Sequence, residues 1–331
     1  MRLNTSMVIA AAVAGACGAL YAQTGGSSSP IKPIPGTGSL GPAPGSTFTF
    51  IVAGDNRPAK AKDRQPKTPG KIFAAAVAHK AAFVVWTGDT IYGLDSADPK
   101  IVGHQYQEFF KLAATAGMPV FTAPGNHEMD VKVKDNKNLK EIGSAKMEAL
   151  YRTNMGLAKD APIYGAFSYG NARFVLLNSE EIPPAGVLRS PPAKASATVN
   201  LDPGYMSAAQ MQWLQQELAA NTATHTFLFM HHPIKPKKSD MGLNKANADA
   251  LVQLFATHTN ISYVFASHEH LYYNPQTEDA SPPSGRTAPA TAPPIYLISG
   301  GAGAPLDKDG FNNYLVFSVN GSSITVQLVK L

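Results

Sequence analysis

The chain has 331 residues, of which 44% are hydrophobic and 15% are charged, and its formal net charge is +5. This length suffices for one large hydrophobic core or two modest ones, and the low charged fraction excludes coiled coils and long solvated helices. No block of Lys and Arg interleaved with aromatic residues is present, so specific nucleic-acid binding is not expected.

The N-terminus has the pattern of an export signal. Arg2 supplies a positive charge, the segment Met7–Leu20 is apolar but too short to span a bilayer, and Ala22 ends a tolerable cleavage site. We therefore expect a signal peptide over residues 1–22 and a protein exported to the periplasm or the extracellular space. No other stretch of the sequence is apolar and long enough to predict a membrane span.

Cys17 is the sole cysteine and lies inside this segment, so the mature domain would contain no disulfide and no thiolate ligand. Residues 14–17 also resemble a lipoprotein signal, and in that alternative Cys17 carries a lipid anchor. Residues 23–46 are rich in Gly, Ser and Pro, which predicts a flexible tether. The folded domain is expected over residues 47–331.

Short apolar strands alternate with helices along this domain. Helices are expected near residues 71–82, 104–116 and 139–151, and after the capping residues Ser207 and Asn244. This alternation predicts an α/β fold with its site at the carboxyl ends of the strands. The predicted strands are 48–53, 83–86, 119–123, 166–169, 173–178, 226–230, 263–266, 295–299, 314–319 and 323–329.

Five of these strands end at polar groups that suit metal binding. Carboxylate and amide oxygens mixed with imidazole nitrogens favour Fe, Zn or Mn. They are too many for one ion, and they fit two ions about 3.5–4 Å apart that share one carboxylate. The groups are Gly54-Asp55, Gly88-Asp89, Gly125-Asn126-His127, His231-His232-Pro233 and His268-Glu269-His270.

The order of these motifs, GD, GDxxY, GNHE, HxP and HxH, resembles the calcineurin-like metallophosphoesterases over nearly the whole domain. The resemblance implies a four-layer α/β/β/α sandwich, in which two mixed β-sheets are flanked by helices. It also implies a dinuclear metal centre, iron with iron, zinc or manganese, that hydrolyses phosphate esters.

The resemblance further assigns roles to individual residues. Asp89 would bridge both metals, and His127 would contact the substrate and protonate the leaving group instead of binding metal. The other assigned ligands are Asp55 and His270 for the first metal, and Asn126, His231 and His268 for the second.

Two departures from the family pattern affect the first metal. The usual Asp-x-His opening is Asp55-Asn56-Arg57 here, and because arginine does not bind metal, Arg57 becomes a candidate phosphate clamp. Tyr92 follows Asp89 with the spacing of the purple acid phosphatase branch, in which a tyrosinate binds Fe(III). Tyr92 is thus a predicted metal ligand, and the alternative is a ring packed in the cleft wall.

Other positions near the motifs carry alternatives. His232 either contacts the substrate or hydrogen-bonds within its own loop. Glu128 and Asp130 either orient the His127 ring or, as we expect, are solvated loop carboxylates. Ser267 stands where the family usually has glycine, and little effect is expected from this change.

The sequence favours an exported phosphomonoesterase that cleaves a small-molecule phosphate ester with a metal-activated hydroxide. A phosphodiesterase with the same site, and a non-catalytic module that binds metal or phosphate, are the alternatives. Two basic stretches, residues 57–67 and 235–238, either steer anionic substrates into the site or are ordinary solvated loops. No oligomeric state is predicted.

Overall fold

Two β-sheets pack face to face, and helices cover their outer faces. The computed structural model describes residues 36–37, 40, 45–135, 138–184, 203–289 and 292–331. The predicted signal peptide, Cys17 and most of the predicted tether lie outside these ranges. Within them, no helix combines the length and the apolar character that a membrane crossing requires.

The helices and strands occur in this chain order. The helices are α1 (Thr68–Ala78), α2 (Pro99–Ala114), α3 (Asn126–Met129), α4 (Ala145–Asn154), α5 (Ala208–Ala220) and α6 (Lys245–Ala256). The strands are β1 (Gly36–Thr37), β2 (Thr47–Ala53), β3 (Val84–Trp86), β4 (Val120–Thr122), β5 (Asp130–Asp135), β6 (Asn138–Gly143), β7 (Gly165–Tyr169), β8 (Ala172–Leu176), β9 (His225–Phe229), β10 (Ile261–Ala266), β11 (Tyr272–Tyr273), β12 (Arg286–Thr287), β13 (Ile295–Ser299), β14 (Asn313–Asn320) and β15 (Ser323–Lys330).

Both large sheets are mixed. The first has the strand order β1-β4-β3-β2-β14-β15-β12, and the second has the order β11-β13-β10-β9-β8-β7. The strands β2, β3 and β4 are parallel neighbours in the first sheet. The strands β8, β9, β10 and β13 are parallel neighbours in the second. The strands β5 and β6 form a separate antiparallel hairpin.

The alternation of side chains along β2 shows how the layers are built. Phe48, Phe50 and Val52 point into the core between the sheets, whereas Ile51 and Ala53 point outward into the cluster that contains α1 and α2. A strand buried on both faces needs apolar residues at consecutive positions, and this is what the sequence supplies. The helices α5 and α6 cover the outer face of the second sheet in the same way.

Aromatic rings fill the space between the two sheets. The ring of Phe50 stacks on Phe317 with centroids 5.1 Å apart, and Phe227 meets Phe50 edge-on at 4.9 Å. Such offset and edge-on pairs stabilise a core beyond the apolar area that they bury. The predicted four-layer α/β/β/α sandwich is therefore confirmed.

One predicted helix is wrong in its first half. Residues 139–151 were expected to be helical, but Asn138–Gly143 is strand β6, and the helix begins only after Ser144, whose side chain accepts a hydrogen bond from the Met147 amide. The segment DVKVKD at 130–135 alternates polar and apolar residues, which is a strand pattern. That alternation was the signal for the β5–β6 hairpin.

Candidate metal centre

The predicted ligand residues meet along one edge of the two sheets. Asp55, Asp89 and Asn126 follow the parallel neighbours β2, β3 and β4, so they lie at the same sheet edge. His231 and His268 follow the parallel neighbours β9 and β10. The two sheets come together here, because His231 Nε2 lies 3.4 Å from Asp89 Oδ1.

Four of these residues have a left-handed backbone. The φ angle is 60° at Asp55, 56° at Asp89, 71° at His268 and 53° at His270. Outside glycine such angles are uncommon, although Asp and His tolerate them better than most residues. Each costs about 1 kcal/mol or more, and strain of this kind concentrates at binding and catalytic sites. The backbone thus marks this edge as the functional one.

Two glycines allow the loops of the site to approach each other. Gly88 has a φ of +94°, and a Cβ there would lie 2.6 Å from His231 Nδ1. Gly93 has a φ of +53°, and a Cβ there would lie 1.7 Å from the carbonyl oxygen of His127. A side chain at either position would push the motif loops apart.

The first ligand cluster consists of Asp55, Asp89 and His270. One carboxylate oxygen from each aspartate and one ring nitrogen of the histidine lie within 4.8 Å of one another. His270 Nδ1 donates a hydrogen bond of 2.7 Å to the carbonyl oxygen of Pro305. This contact fixes the tautomer, so Nε2 is the nitrogen left for a metal ion.

The second cluster forms around His231 Nε2. This atom lies 3.1 Å from Asn126 Oδ1, 3.0 Å from His268 Nδ1 and 3.4 Å from Asp89 Oδ1. Ligand atoms bound at about 2.1 Å to one tetrahedral or octahedral ion are about 3.0–3.4 Å apart. The observed spacing is therefore that of neighbouring ligands of a common ion, and Asp89 belongs to both clusters.

The His231 ring is oriented by groups on its far side. Its Nδ1 lies 2.8 Å from the carbonyl oxygen of Thr87 and 3.1 Å from Ser267 Oγ. The Ser267 hydroxyl also donates to the Thr87 carbonyl. Ser267 therefore helps to orient His231, a predicted ligand, and the residue type alone did not predict this contact.

The charges of the site fit a metal cation. Asp55 is fully buried, and its carboxylate oxygens accept no hydrogen bond from any described residue. Burial raises the pKa of Asp55 to about 6. Burial alone would lower the pKa of His231, but the charges of Asp89 and Asp55 outweigh it and raise this pKa to about 9. The site attracts positive charge, and its oxygen and imidazole donors suit Fe, Zn or Mn.

A cavity of about 250 Å³ opens onto both clusters. His127 and Arg57 line it together with four of the predicted ligands, Asp89, Asn126, His268 and His270. The remaining walls consist of Glu141, Lys238, Met241, Glu269, Pro305, Leu306 and Asp307.

His127 and Arg57 both approach the shared aspartate. His127 Nε2 lies 3.7 Å from Asp89 Oδ2, while its Nδ1 donates to the carbonyl oxygen of Tyr92. Burial lowers the pKa of His127 to about 3, although Asp89 opposes this effect. Arg57 Nε lies 3.5 Å from Asp89 Oδ2 and donates to no acceptor among the described residues.

Glu128 is not a solvated loop carboxylate, and that expectation is wrong. Its side chain is 1% exposed and accepts hydrogen bonds from the amides of Asp89, Thr90, Ile91 and Gly125, at 2.6–3.2 Å. The Thr90 hydroxyl donates to it as well, at 2.9 Å. Glu128 therefore joins the loop after β3 to the loop after β4.

Asp130 is also buried, with 1% of its surface exposed, so the expectation of a solvated carboxylate is wrong for it too. Tyr272 lies in the core between the sheets, and its hydroxyl donates to the carbonyl oxygen of Ser281. Neither residue is among those that line the cavity.

Tyr92 and His232 sit beside the clusters. The Tyr92 ring packs edge-on against His127 at 5.7 Å, and its ligation of a metal stays a prediction. His232 is fully buried, its Nδ1 lies 2.5 Å from Glu180 Oε1, and its ring lies 4.0 Å from the His268 ring. This geometry favours support of a ligand, and a contact of His232 with substrate stays a prediction.

The two basic stretches differ. Lys238 Nζ lies 2.7 Å from Asp307 Oδ1, and Lys237 Nζ lies 3.4 Å from Asp309 Oδ2, so each of these lysines is paired with an aspartate. Glu269 anchors their loop, because its carboxylate accepts hydrogen bonds from the backbone amides of Lys237 and Lys238, at 2.7 and 3.0 Å. The exposed cations of the other stretch are Lys60, Lys62, Arg64 and Lys67.

Comparison with known proteins agrees with the motifs and the fold. The family description "calcineurin-like phosphoesterase" matches residues 48–272. A curated relative, the 3',5'-cyclic adenosine monophosphate phosphodiesterase CpdA of Haemophilus influenzae, is 23% identical over 193 residues. That match covers 58% of this chain and 55% of the relative, so the chain spans about half the length of the curated protein that it matches.

Two solved structures share the fold. A dimetal phosphatase from Danio rerio superposes with a TM-score of 0.59 at 14% identity, over 86% of this chain and 96% of that one. The purple acid phosphatase PPD1 from yellow lupin (Lupinus luteus) seeds superposes with a TM-score of 0.60 at 15% identity, over 87% of this chain and 52% of that one. The chain belongs to the calcineurin-like phosphoesterase family, and the predicted resemblance is confirmed.

We expect Glu128→Gln to lower the free energy of unfolding of the metal-free protein by about 3 kcal/mol. The amide keeps one acceptor oxygen but turns donors toward backbone N–H groups that are left buried and unpaired. Urea unfolding of chelator-treated protein measures the change. The control is Glu148→Gln, which removes only a pair with Arg152 on helix α4 and should cost less than about 0.5 kcal/mol. Equal losses in the two variants would contradict the role of Glu128.

Proposed function

We propose that the protein is a metal-dependent phosphoester hydrolase, and most specifically a phosphomonoesterase. One observation carries the proposal: two ligand clusters share Asp89 and open onto a single cavity, which His127 and Arg57 also line. Family membership supports the same reaction class.

The residues divide the work of hydrolysis among them. Two bound metal ions would supply Lewis acidity, lowering the pKa of a water nucleophile and neutralising phosphoryl charge. Arg57 presents its guanidinium to a non-bridging phosphoryl oxygen, for which its planar, always charged group is suited. Asp89 and the other predicted ligands would hold the positively charged metal ions beside the phosphoryl group.

His127 is placed to give a proton to the leaving oxygen. Its Nδ1–H is engaged by the Tyr92 carbonyl, so Nε2 is the nitrogen directed to the cavity side, near Asp89. Burial keeps the ring neutral in the free site. An anionic phosphoryl group in the cavity raises the pKa of His127 and so favours the imidazolium form, which donates from Nε2.

The purple acid phosphatase spacing of Tyr92 after Asp89 supports monoesters over diesters. The open cavity of about 250 Å³ accommodates a phosphoryl group with a compact ester group, with Met241, Pro305 and Leu306 as apolar wall. Phosphodiester cleavage is the second candidate, because the curated relative is named as a cyclic nucleotide phosphodiesterase.

We also propose export of the protein, on the basis of the charged start and the short apolar segment of residues 1–22. A lipid anchor at Cys17 is the competing proposal.

Purified protein should hydrolyse p-nitrophenyl phosphate faster than bis-p-nitrophenyl phosphate after addition of Fe, Zn or Mn. Chelation should remove the activity, and added metal should restore it, because the metal ions activate the water nucleophile. Asp89→Asn should reduce turnover by more than about 100-fold, beyond the range typical of residues that only support ligands. Asp307→Asn, in the same cavity wall, serves as the control.

Faster cleavage of the diester would transfer the assignment to a phosphodiesterase. Absence of turnover with every metal, together with tight phosphate binding, would leave the non-catalytic module. Full activity of Asp89→Asn would refute the shared ligand.

Arg57→Lys should raise the KM for p-nitrophenyl phosphate about tenfold, equivalent to about 1.4 kcal/mol, because lysine cannot make two parallel hydrogen bonds to a phosphoryl group. Steady-state kinetics measures the change. The same substitution at exposed Arg64, in the same loop, should leave KM unaltered. A fall in kcat at constant KM would instead place Arg57 in the chemical step alone.

Mass spectrometry of the protein expressed from its full sequence should find a mature N-terminus at Gln23, in the periplasmic or extracellular fraction. A chain that begins at a lipid-modified Cys17 in the membrane fraction would establish the anchor instead. An intact Met1 in the cytoplasm would refute both.

A further inference from the structure

The side-chain amide of Asn126 contacts a residue outside the sequence motifs, and this contact bears on its orientation. An asparagine can present either its oxygen or its NH₂ group to a site, and only the oxygen binds metal. Asn126 Oδ1 lies 3.1 Å from His231 Nε2, in the second cluster. Its Nδ2 donates a hydrogen bond of 2.9 Å to Glu141 Oε2.

We propose that Glu141 is a positioning residue that locks Asn126 with its oxygen toward the second metal and thereby raises the affinity of that metal. A carboxylate accepts hydrogen bonds but cannot donate them, so Glu141 admits only the NH₂ side of the amide. The charged acceptor also polarises the amide toward Oδ1, as carboxylates behind other metal ligands do.

The fold brings Glu141 to this place through the β5–β6 hairpin. The hairpin starts directly after helix α3, whose first residue is Asn126. Its register sets Glu141 opposite Lys132. The Lys132 amide donates to the carbonyl oxygen of Leu94, at 2.8 Å, which ties the first strand to the loop that follows Asp89. Glu141 is thus held over the site by backbone contacts.

The alternative partner of Glu141 is weaker. Lys132 Nζ lies 3.9 Å from Glu141 Oε1, and the two side chains are 29% and 21% exposed. A partly exposed pair at this distance contributes little. The shorter contact to Asn126 is the one that orders the carboxylate, and Glu141 also lines the cavity.

Metal titration of chelator-stripped protein tests the proposal. Zn²⁺ or Mn²⁺ binding, followed by calorimetry, should show two sites in the wild type. Glu141→Ala should weaken the second site by about 10–100-fold and leave the first unchanged. The isosteric Glu141→Gln should fall between them, because it keeps one acceptor oxygen. Asp55→Asn, which alters a ligand of the first cluster only, identifies which constant belongs to which site.

Asp307→Asn is the matched control. Asp307 lies in the same cavity wall, but its carboxylate contacts Lys238 and not Asn126. Asp307→Asn removes the same charge without altering a contact of the Asn126 amide. It should therefore change the affinity of the second metal site less than about threefold. An equal effect of Asp307→Asn and Glu141→Gln would overturn positioning in favour of a general field effect.

Unchanged second-site affinity in Glu141→Ala and Glu141→Gln would also overturn the proposal. Thermal unfolding of the metal-free variants shows whether they fold. If Glu141→Ala does not fold, the isosteric Glu141→Gln provides the test. The inference rests on the metal centre of the proposed function, but its readout is binding. A wild type that binds two ions and hydrolyses nothing refutes the proposed activity alone, whereas a wild type that binds fewer than two refutes both.

Discussion

The burial of two aspartates at the junction of the sheets is the constraint on which the site depends. An uncompensated carboxylate in this position costs several kcal/mol. Burial raises the pKa of Asp89, but its interactions with His127, His231, His270 and Arg57 outweigh this effect and hold the pKa well below the usual range. Asp55 has less compensation, and its pKa stays raised. The first cluster therefore contains the carboxylate whose charge is less compensated by its surroundings. It is also the cluster that lacks the family's usual opening histidine.

Around this constraint, several predicted ligands are oriented by groups that belong to the scaffold. Backbone carbonyls of Thr87 and Pro305 set the tautomers of His231 and His270, and Glu128 accepts hydrogen bonds from amides of two motif loops. Such supporting contacts fix ligand geometry before any ion arrives, which lowers the ordering cost of binding. The left-handed backbone at the strand ends persists because these contacts hold the loops in place and offset the strain.

The sequence was informative where chemistry and local pattern coincide. Consecutive apolar residues predicted the buried strands, and polar residues directly after them predicted a cluster of polar side chains, because parallel strands end at a common edge. The β5–β6 hairpin was missed, since its charged residues favoured helix on propensity while the period of two favoured strand. The role of Glu128 was missed because its partners are backbone amides, which leave no trace in side-chain identity.

The predicted ligands come from strand ends that are far apart in the chain and belong to both sheets. Neither ligand cluster can assemble until the sheets have docked, so long loops must close before any coordination is gained. Ions bound there would stabilise the docked state and not the unfolded chain, and they would act as a removable cross-link between the two halves of the sandwich. Metal occupancy and the stability of the fold would in this way be linked equilibria.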